Sequence, residues 1–169
     1  MYLKTLSAFV LLLTLCGCVT RGIRPSEVHI NKSKIYNAQY DKVWSAAINM
    51  IAEYNLPIST QERDSGIIVI SELTYYPSWA NEGTRGSVVG AADHVMKRQL
   101  NFNIFVAREG PERTRVQVNG NFSMQVRTGN MSQAFPYKYE WIQTYSNGSL
   151  ERKIFNGINR HLEMSSVLQ

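Results

Sequence analysis

Cysteine is nearly absent from this 169-residue sequence, and the only two, Cys16 and Cys18, stand one residue apart near the amino terminus. A disulfide between residues two positions apart would be strained, and no nearby histidine completes a zinc site. Because no cysteine follows Cys18, the rest of the chain has neither a disulfide framework nor a thiol nucleophile.

Long hydrophobic runs are also lacking. The longest apolar stretch, from Leu6 to Leu15, has about ten residues, whereas a helix that spans a bilayer needs about 20. This stretch follows Lys4 and the positive amino terminus, an order typical of an export signal. The sequence therefore predicts a cleaved signal peptide rather than a transmembrane helix.

Charge of one sign is sparse, since 18 Lys and Arg against 13 Asp and Glu leave a net charge of +5. The basic residues are scattered and form no run of the kind found in nucleic-acid-binding arms, so we expect no nucleic-acid partner. Arg21, Arg24, Lys32 and Lys34 lie close to the predicted signal peptide. They suit contact with anionic lipid headgroups, and they suit a solvated linker equally well.

Catalytic signatures are missing as well. The stretch Gly86-Ser87-Val88-Val89-Gly90 has the spacing of neither a nucleophile elbow nor a phosphate loop. Of the three histidines, only His94 has an acidic neighbour, Asp93, and adjacent side chains on a helix or strand point apart. We expect no catalytic residue, no metal and no cofactor. An enzyme built on Asp93 and His94 is the minor alternative.

The two cysteines differ in what precedes them. Leu15 before Cys16 is bulky, whereas Gly17 before Cys18 is small, as signal peptidases require. The stretch Leu15-Cys16-Gly17-Cys18 resembles the lipobox of bacterial lipoproteins, and this resemblance implies that Cys18 is lipidated with palmitate and becomes the first residue. Val19 replaces the aspartate of inner-membrane retention, which implies the outer membrane. The predicted organisation is a signal peptide over 1–17, a lipidated flexible tether over 18–36 and a folded domain over 37–169.

Helical periodicity occurs near both ends of the predicted domain. A helix capped by Asp41 is predicted to run to about Tyr54, and a second helix is predicted to begin with Ser149 as its cap. Between them, the segments 56–63 and 67–71 are predicted to form a hairpin around Gly66. Residues 74–98 are predicted to form a long loop with a short helix over 88–96.

Alternation of apolar and polar residues gives the clearest strand signals, over 100–106 and 115–127, and a shorter strand is predicted over 137–141. The order of elements predicts one α+β domain, with an antiparallel sheet of about four to five strands packed against two helices. Three short motifs carry a resemblance: Val43-Trp44, Asp64-x-Gly66-Ile67-Ile68 and Gly148-Ser149-Leu150-Glu151. They resemble the small helix-grip domains of the BamC family of β-barrel assembly lipoproteins, over residues 37–165. The resemblance implies a helix-grip fold and an accessory role in outer-membrane assembly or maintenance.

Aromatic residues supply the candidate binding site. The candidate partner-binding residues are Tyr75, Tyr76, Trp79, Tyr137, Tyr139 and Trp141. Phe135 belongs to this aromatic group as well. Exposed, they would offer contact area to a partner, and packed inward they would close the ends of the sheet. The sequence thus predicts a lipid-anchored, periplasm-facing module that binds an envelope protein. The alternative is a carrier of a small apolar ligand between the sheet and the last helix, where Gly120 would bend the sheet.

Overall fold

The computed structural model describes residues 25–83, 94–128 and 137–167. In this part of the chain it contains seven strands, two α-helices and one 3₁₀ turn at Pro77–Trp79. The helices are α1 (Tyr40–Glu53) and α2 (Ser149–Val167). The strands are β1 (Ser33–Tyr36), β2 (Ile58–Glu62), β3 (Ile67–Leu73), β4 (Ala80–Asn81), β5 (His94–Gly110), β6 (Arg113–Thr128) and β7 (Lys138–Ser146).

All strand pairings are antiparallel, in the order β2-β3-β5-β6-β7-β4, and β1 pairs with β6 as well. The predicted α+β domain with one antiparallel sheet on two helices is confirmed. The sheet has seven strands rather than four or five, because β1 and β4 are only four and two residues long. Elements this short leave no readable hydrophobic period.

The hairpin of β5 and β6 consists of the two longest strands and forms the centre of the sheet. Over residues 100–106 of β5 and 116–126 of β6, every second side chain is buried, as the alternation in the sequence predicts, and Gly120 is the one position without a side chain. Its core-facing residues are Leu100, Phe102, Ile104, Val106, Val116, Val118, Phe122, Met124 and Val126. The opposite face of the hairpin has no helix of the described chain over it.

Helix α1 lies against this core through Val43, Ala47, Met50 and Ile51, each 0–1% exposed. It begins two residues earlier than predicted, at Tyr40 after the cap position Gln39, and Gln39 makes no side-chain cap. The predicted cap at Asp41 is therefore wrong. Asp41 lies in the first turn, where its carboxylate accepts a hydrogen bond from Arg63 at 2.8 Å.

Helix α2 starts from a tight turn in which Gly148 has φ of +87°. Ser149 was predicted as its cap, but it lies inside the helix and its hydroxyl accepts a hydrogen bond from Arg152 at 3.0 Å. The serine that caps this turn is Ser146, whose Oγ accepts the Gly148 N–H and donates to the buried Glu151 carboxylate at 2.7 Å. A carboxylate in the first turn also suits the positive end of the helix dipole.

Two sequence-based boundaries need correction. Ser33–Tyr36 was assigned to the flexible tether and instead forms β1, whose Tyr36 hydroxyl donates to the Phe155 carbonyl at 3.1 Å. The short helix predicted over 88–96 is wrong from His94 onward, because β5 begins there. Its earlier residues lie outside the described part of the chain. Within the described ranges, neither helix is long and apolar enough to cross a bilayer.

Candidate binding surfaces

A cleft of about 290 Å³ opens on the helix side of the sheet, beside the first half of α2. We call it the helix-side cleft. Its floor is apolar because β3, β5 and α2 each turn aliphatic or aromatic side chains toward the core there. Its lining residues are Tyr54, Leu56, Leu73, Thr74, Tyr76, Trp79, Phe102, Leu150, Lys153 and Ile154.

The rim of this cleft combines aromatic rings with a cation. Tyr76 and Trp79 meet edge to face, with ring centroids 5.5 Å apart. The Lys153 ammonium lies 5.2 Å from the centre of the Trp79 ring and 4.9 Å from that of Tyr54. Tyr54 is held in turn by Arg160, which donates to its hydroxyl at 3.0 Å. Such cation–π contacts help to hold the Tyr54 and Trp79 rings in place.

Tyr75 differs from the rim residues Tyr76 and Trp79 because it is buried. It is 2% exposed, its ring packs edge to face on Phe122, and its hydroxyl shares a 3.1 Å hydrogen bond with Thr144. Burial raises the pKa of the Tyr75 hydroxyl to about 12. Tyr75 is therefore part of the core next to the 3₁₀ turn and is not available for contact with a partner.

The remaining aromatic candidates lie on the opposite side of the sheet. Tyr139 and Trp141 alternate outward along β7, with 57% and 50% of their surface exposed. Tyr137, just before β7, lies under the Arg127 guanidinium, 4.4 Å from its ring centre. The six candidates are thus divided into a helix-side pair, a buried residue and an outer-face group. Phe135 lies outside the described residues.

No described group of three or more histidine, cysteine or carboxylate side chains has metal-binding geometry. His94 opens β5 on its outer face, and Asp93 lies outside the described residues. His161 of α2 lies 2.8 Å from one carboxylate oxygen of Glu53 in α1. Arg160, also in α2, contacts the other oxygen of this carboxylate at 3.1 Å. These contacts join the two helices at the surface. Cys16 and Cys18 both precede the described residues.

Sequence reasoning did not find Tyr54 or Lys153, which complete the cleft. Tyr54 follows the last turn of α1, and Lys153 lies on the exposed side of α2, where a lysine is ordinary. Only the approach of α2 to the 3₁₀ turn brings both of them to Trp79.

Gly120 marks close packing rather than a cavity. A Cβ atom there would lie 2.7 Å from the Phe122 ring and 3.3 Å from Leu150. The expectation that this glycine opens a ligand space between the sheet and the last helix is therefore wrong.

No protein-family model matches the chain, and no curated protein matches it either.

Proposed function

We propose that this chain is a lipid-anchored module that faces the periplasm and docks an envelope protein in outer-membrane assembly or maintenance. The observation that carries the proposal is the helix-side cleft, with an apolar floor and a rim of Tyr76, Trp79 and Lys153. Tryptophan and tyrosine around a desolvated pocket are typical of the centres of protein interfaces. The occupant is an apolar side chain of the partner, inserted beside a carboxylate that meets Lys153.

The size of the cleft favours an inserted side chain over a carried ligand. Pockets that enclose drug-sized ligands usually measure about 300–1,000 Å³, and this cleft of about 290 Å³ lies at the lower limit. A whole acyl chain would leave most of its surface in water there. The carrier of a small apolar ligand is therefore the second candidate.

The membrane anchor of this proposal is Cys18, on the strength of the lipobox resemblance. Ile30, the first side chain packed at the start of α2, lies 3.5 Å from the position of a Cβ at Gly148. Ile30 is twelve positions after Cys18, and an extended chain covers at most about 3.5 Å per residue. The domain would be held within about 40 Å of the membrane surface, so its partners belong to that layer.

Site-specific photocrosslinking in cells tests the docking site. A photoreactive residue replacing Tyr76 should yield one discrete envelope-protein adduct, and Lys153→Glu should abolish it, since it reverses the charge at the rim. The same probe at Gln125, on the outer face, is the control and should not yield that adduct. The crosslinked protein, purified, should then bind the full chain directly in detergent. An adduct that survives Lys153→Glu together with Trp79→Ala would exclude the cleft as the docking site.

Two further measurements test the rival function and the anchor. Native mass spectrometry of the full chain purified from cells should show no bound lipid beyond the covalent one. A stoichiometric apolar ligand that is lost in Ile154→Trp would support the carrier instead. Palmitate labelling should disappear in Cys18→Ser and persist in Cys16→Ser, and labelling that persists in Cys18→Ser would refute the anchor.

A further inference from the structure

The outer face of the sheet carries a band of amide side chains that the sequence shows only as separate residues. In the register of β5 and β6, Asn101 stands opposite Asn121 and Asn103 stands opposite Asn119. Rows of glutamine and serine continue the band on both sides of these pairs. Its members are Gln99, Asn101, Asn103, Gln117, Asn119, Asn121, Ser123, Gln125 and Gln143. We call this set the amide band.

Strand stability does not account for this composition. Asparagine is among the residues that strands disfavour, whereas threonine, valine and tyrosine are preferred on a half-exposed face. Four asparagines in two directly facing pairs occupy the middle of the longest hairpin in the sheet. A solvent-facing sheet that needed only solubility could use threonine or charged residues at these positions at lower cost.

Only part of the hydrogen-bonding capacity of the band is used within the described chain. Gln117 donates to Asn119, and Asn119 donates to Asn103, each at 3.0 Å. The Asn101 carbonyl accepts the Glu72 N–H at 2.7 Å, which fixes the irregular end of β3. The exposed side chain of Asn121 makes no hydrogen bond to any other described residue. A primary amide has two donors and two acceptor lone pairs, so the band presents many free groups of both kinds.

The same surface is uncharged. From Gln117 to Ser123, the outward residues of β6 and those paired with them on β5 and β7 include no ionisable side chain. On β3, the outward residues opposite this stretch are Ile67 and Val69. Charged residues border this stretch: Arg115 follows at one end, and Lys97 stands opposite Gln125 at the other, with Arg127 beyond it. Glu72 lies at the side of the band, where its N–H bonds to Asn101. A phosphate-rich or strongly acidic ligand would find no counter-charge in the centre.

Aromatic rings stand at one end of the band. Trp141 lies beside Gln125, and Tyr139 beside Arg127, in consecutive outward rows. Trp141 also borders a depression of about 510 Å³ whose other walls include Met96, Lys97 and Gln99. At about 3.3 Å per residue, the eight steps from Gln117 to Gln125 span about 27 Å. The face is thus an elongated amide track that ends at an exposed indole.

From this arrangement we infer that the outer face binds a neutral glycan strand. Sugars present rows of hydroxyl groups that both donate and accept, which matches amide side chains, and they carry apolar ring faces that stack on tryptophan. The absence of charged partners from Gln117 to Ser123 matches an uncharged polysaccharide. The site is separate from the helix-side cleft, so a protein in the cleft and a glycan on the amide band can be bound together.

Binding of oligosaccharides to the full chain in detergent tests the inference. The probes are neutral hexasaccharides of β-1,4-glucose, β-1,4-N-acetylglucosamine, β-1,3-glucose and α-1,4-glucose, with an acidic hexagalacturonate for comparison. Calorimetry should find at least one neutral probe that binds more tightly than about 1 mM. Its affinity should be the same at low and high salt, because no charge pair forms, and the acidic probe should bind no better.

Three variants locate the site. Trp141→Ala should weaken binding about tenfold or more, equal to about 1.4 kcal/mol, and Trp141→Phe should restore part of it. Asn121→Asp keeps the shape, removes a donor and adds a charge, so it should also weaken binding. Tyr76→Ala removes a ring from the helix side that is at least as exposed as Trp141, and this matched control should bind the glycan as the wild type does.

Several outcomes would overturn the inference. They are the failure of every neutral probe to bind, binding that Trp141→Ala and Asn121→Asp both leave unchanged, and self-association of the chain through this face in light scattering. A protein crosslinked to Gln125 with no glycan bound would assign the face to a protein instead. None of these results bears on the Tyr76 crosslink, so the docking function is tested separately.

Discussion

The two faces of the sheet are built from opposite kinds of residue. On the helix side, β5 and β6 contribute aliphatic and aromatic side chains that are 0–2% exposed. On the outer side the same two strands contribute asparagine and glutamine, opposite one another in register. Packing explains the first set, since every member lies in the core. It does not explain the second, and this difference is the basis of the glycan-binding inference for the outer face.

The largest expected effect is on stability, and it should appear on one face only. Ile158 is fully buried where α2 meets the core. Ile158→Ala should lower the free energy of unfolding by about 3 kcal/mol, from lost burial and the cavity it leaves. Trp141→Ala, on the outer face, should cost less than about 1 kcal/mol. Urea denaturation of both variants measures this, and equal losses would erase the distinction between the faces.

The next effect depends on pH and also belongs to the helix side. Tyr75 has its pKa raised to about 12 by burial. The folded-state pKa of Tyr75 lies above that of the unfolded chain, which is near 10. The stability of the folded protein that depends on the neutral Tyr75 hydroxyl is therefore fully present below pH 10 and is lost as the pH rises to 12. At about 1.4 kcal/mol per pKa unit, the loss of stability should reach about 2.7 kcal/mol.

Tyr75→Phe removes this ionisation. The difference in stability between wild type and Tyr75→Phe should therefore shift in favour of the variant above pH 10. Burial also raises the pKa of Tyr36 and Tyr40, so both proteins should still lose stability in alkali. Chemical denaturation at neutral pH and at pH 11 measures the difference. A difference independent of pH would contradict the burial of the Tyr75 hydroxyl.

A smaller effect is expected where the two helices touch. A Cβ atom at Gly157 would lie 2.5 Å from Met50 Cγ and 3.2 Å from the Tyr54 hydroxyl. Gly157→Ala should gain about 1 kcal/mol in helix propensity and lose more than that by overpacking. We expect a net loss of about 1 kcal/mol in thermal unfolding. A net gain would mean that α1 and α2 pack less tightly than the structure shows.

The smallest expected effect is a gain in stability rather than a loss, and it tests most directly whether the asparagines of the outer face serve binding instead of folding. Asn103, Asn119 and Asn121 on the amide band, all exposed, can be changed to threonine without disturbing the bond between Asn101 and Glu72. The triple variant should be more stable by about 0.5 kcal/mol, since threonine suits strands better. It should also lose glycan binding. Stability that falls instead would give the asparagines a structural role.

How far the sequence predicted these surfaces depends on the length of each pattern. The alternation over 115–127 and the helical period of α1 run for a dozen residues or more, and both predicted real elements. In the first half of β5 the alternation is broken by a register shift between Val95 and Lys97, and a short helix was predicted there instead. The four residues of β1 are too few to show a period, so a tether was predicted.

The binding surfaces depend on contacts that no local pattern contains. Tyr75, Tyr76 and Trp79 are close in sequence, yet one is buried and the other two border the cleft. Their environments follow from the 3₁₀ turn and from α2, far along the chain. The amide band had a weak sequence signal, because asparagine is unusual at the centre of a strand. Only the register places those asparagines opposite one another.

The pairing of β1 with β6 has a mechanical consequence. Under the proposed anchor at Cys18, any tension between membrane and partner enters the sheet through β1. This strand is held by four paired residues and by the Tyr36 hydroxyl, so it is the first element that a pull would strip away. Release from Ile30 to Tyr36 would add about 20 Å of slack, while the β5–β6 hairpin and both binding surfaces stay intact. β1 thus gives the attachment an extensible link that yields before the domain unfolds.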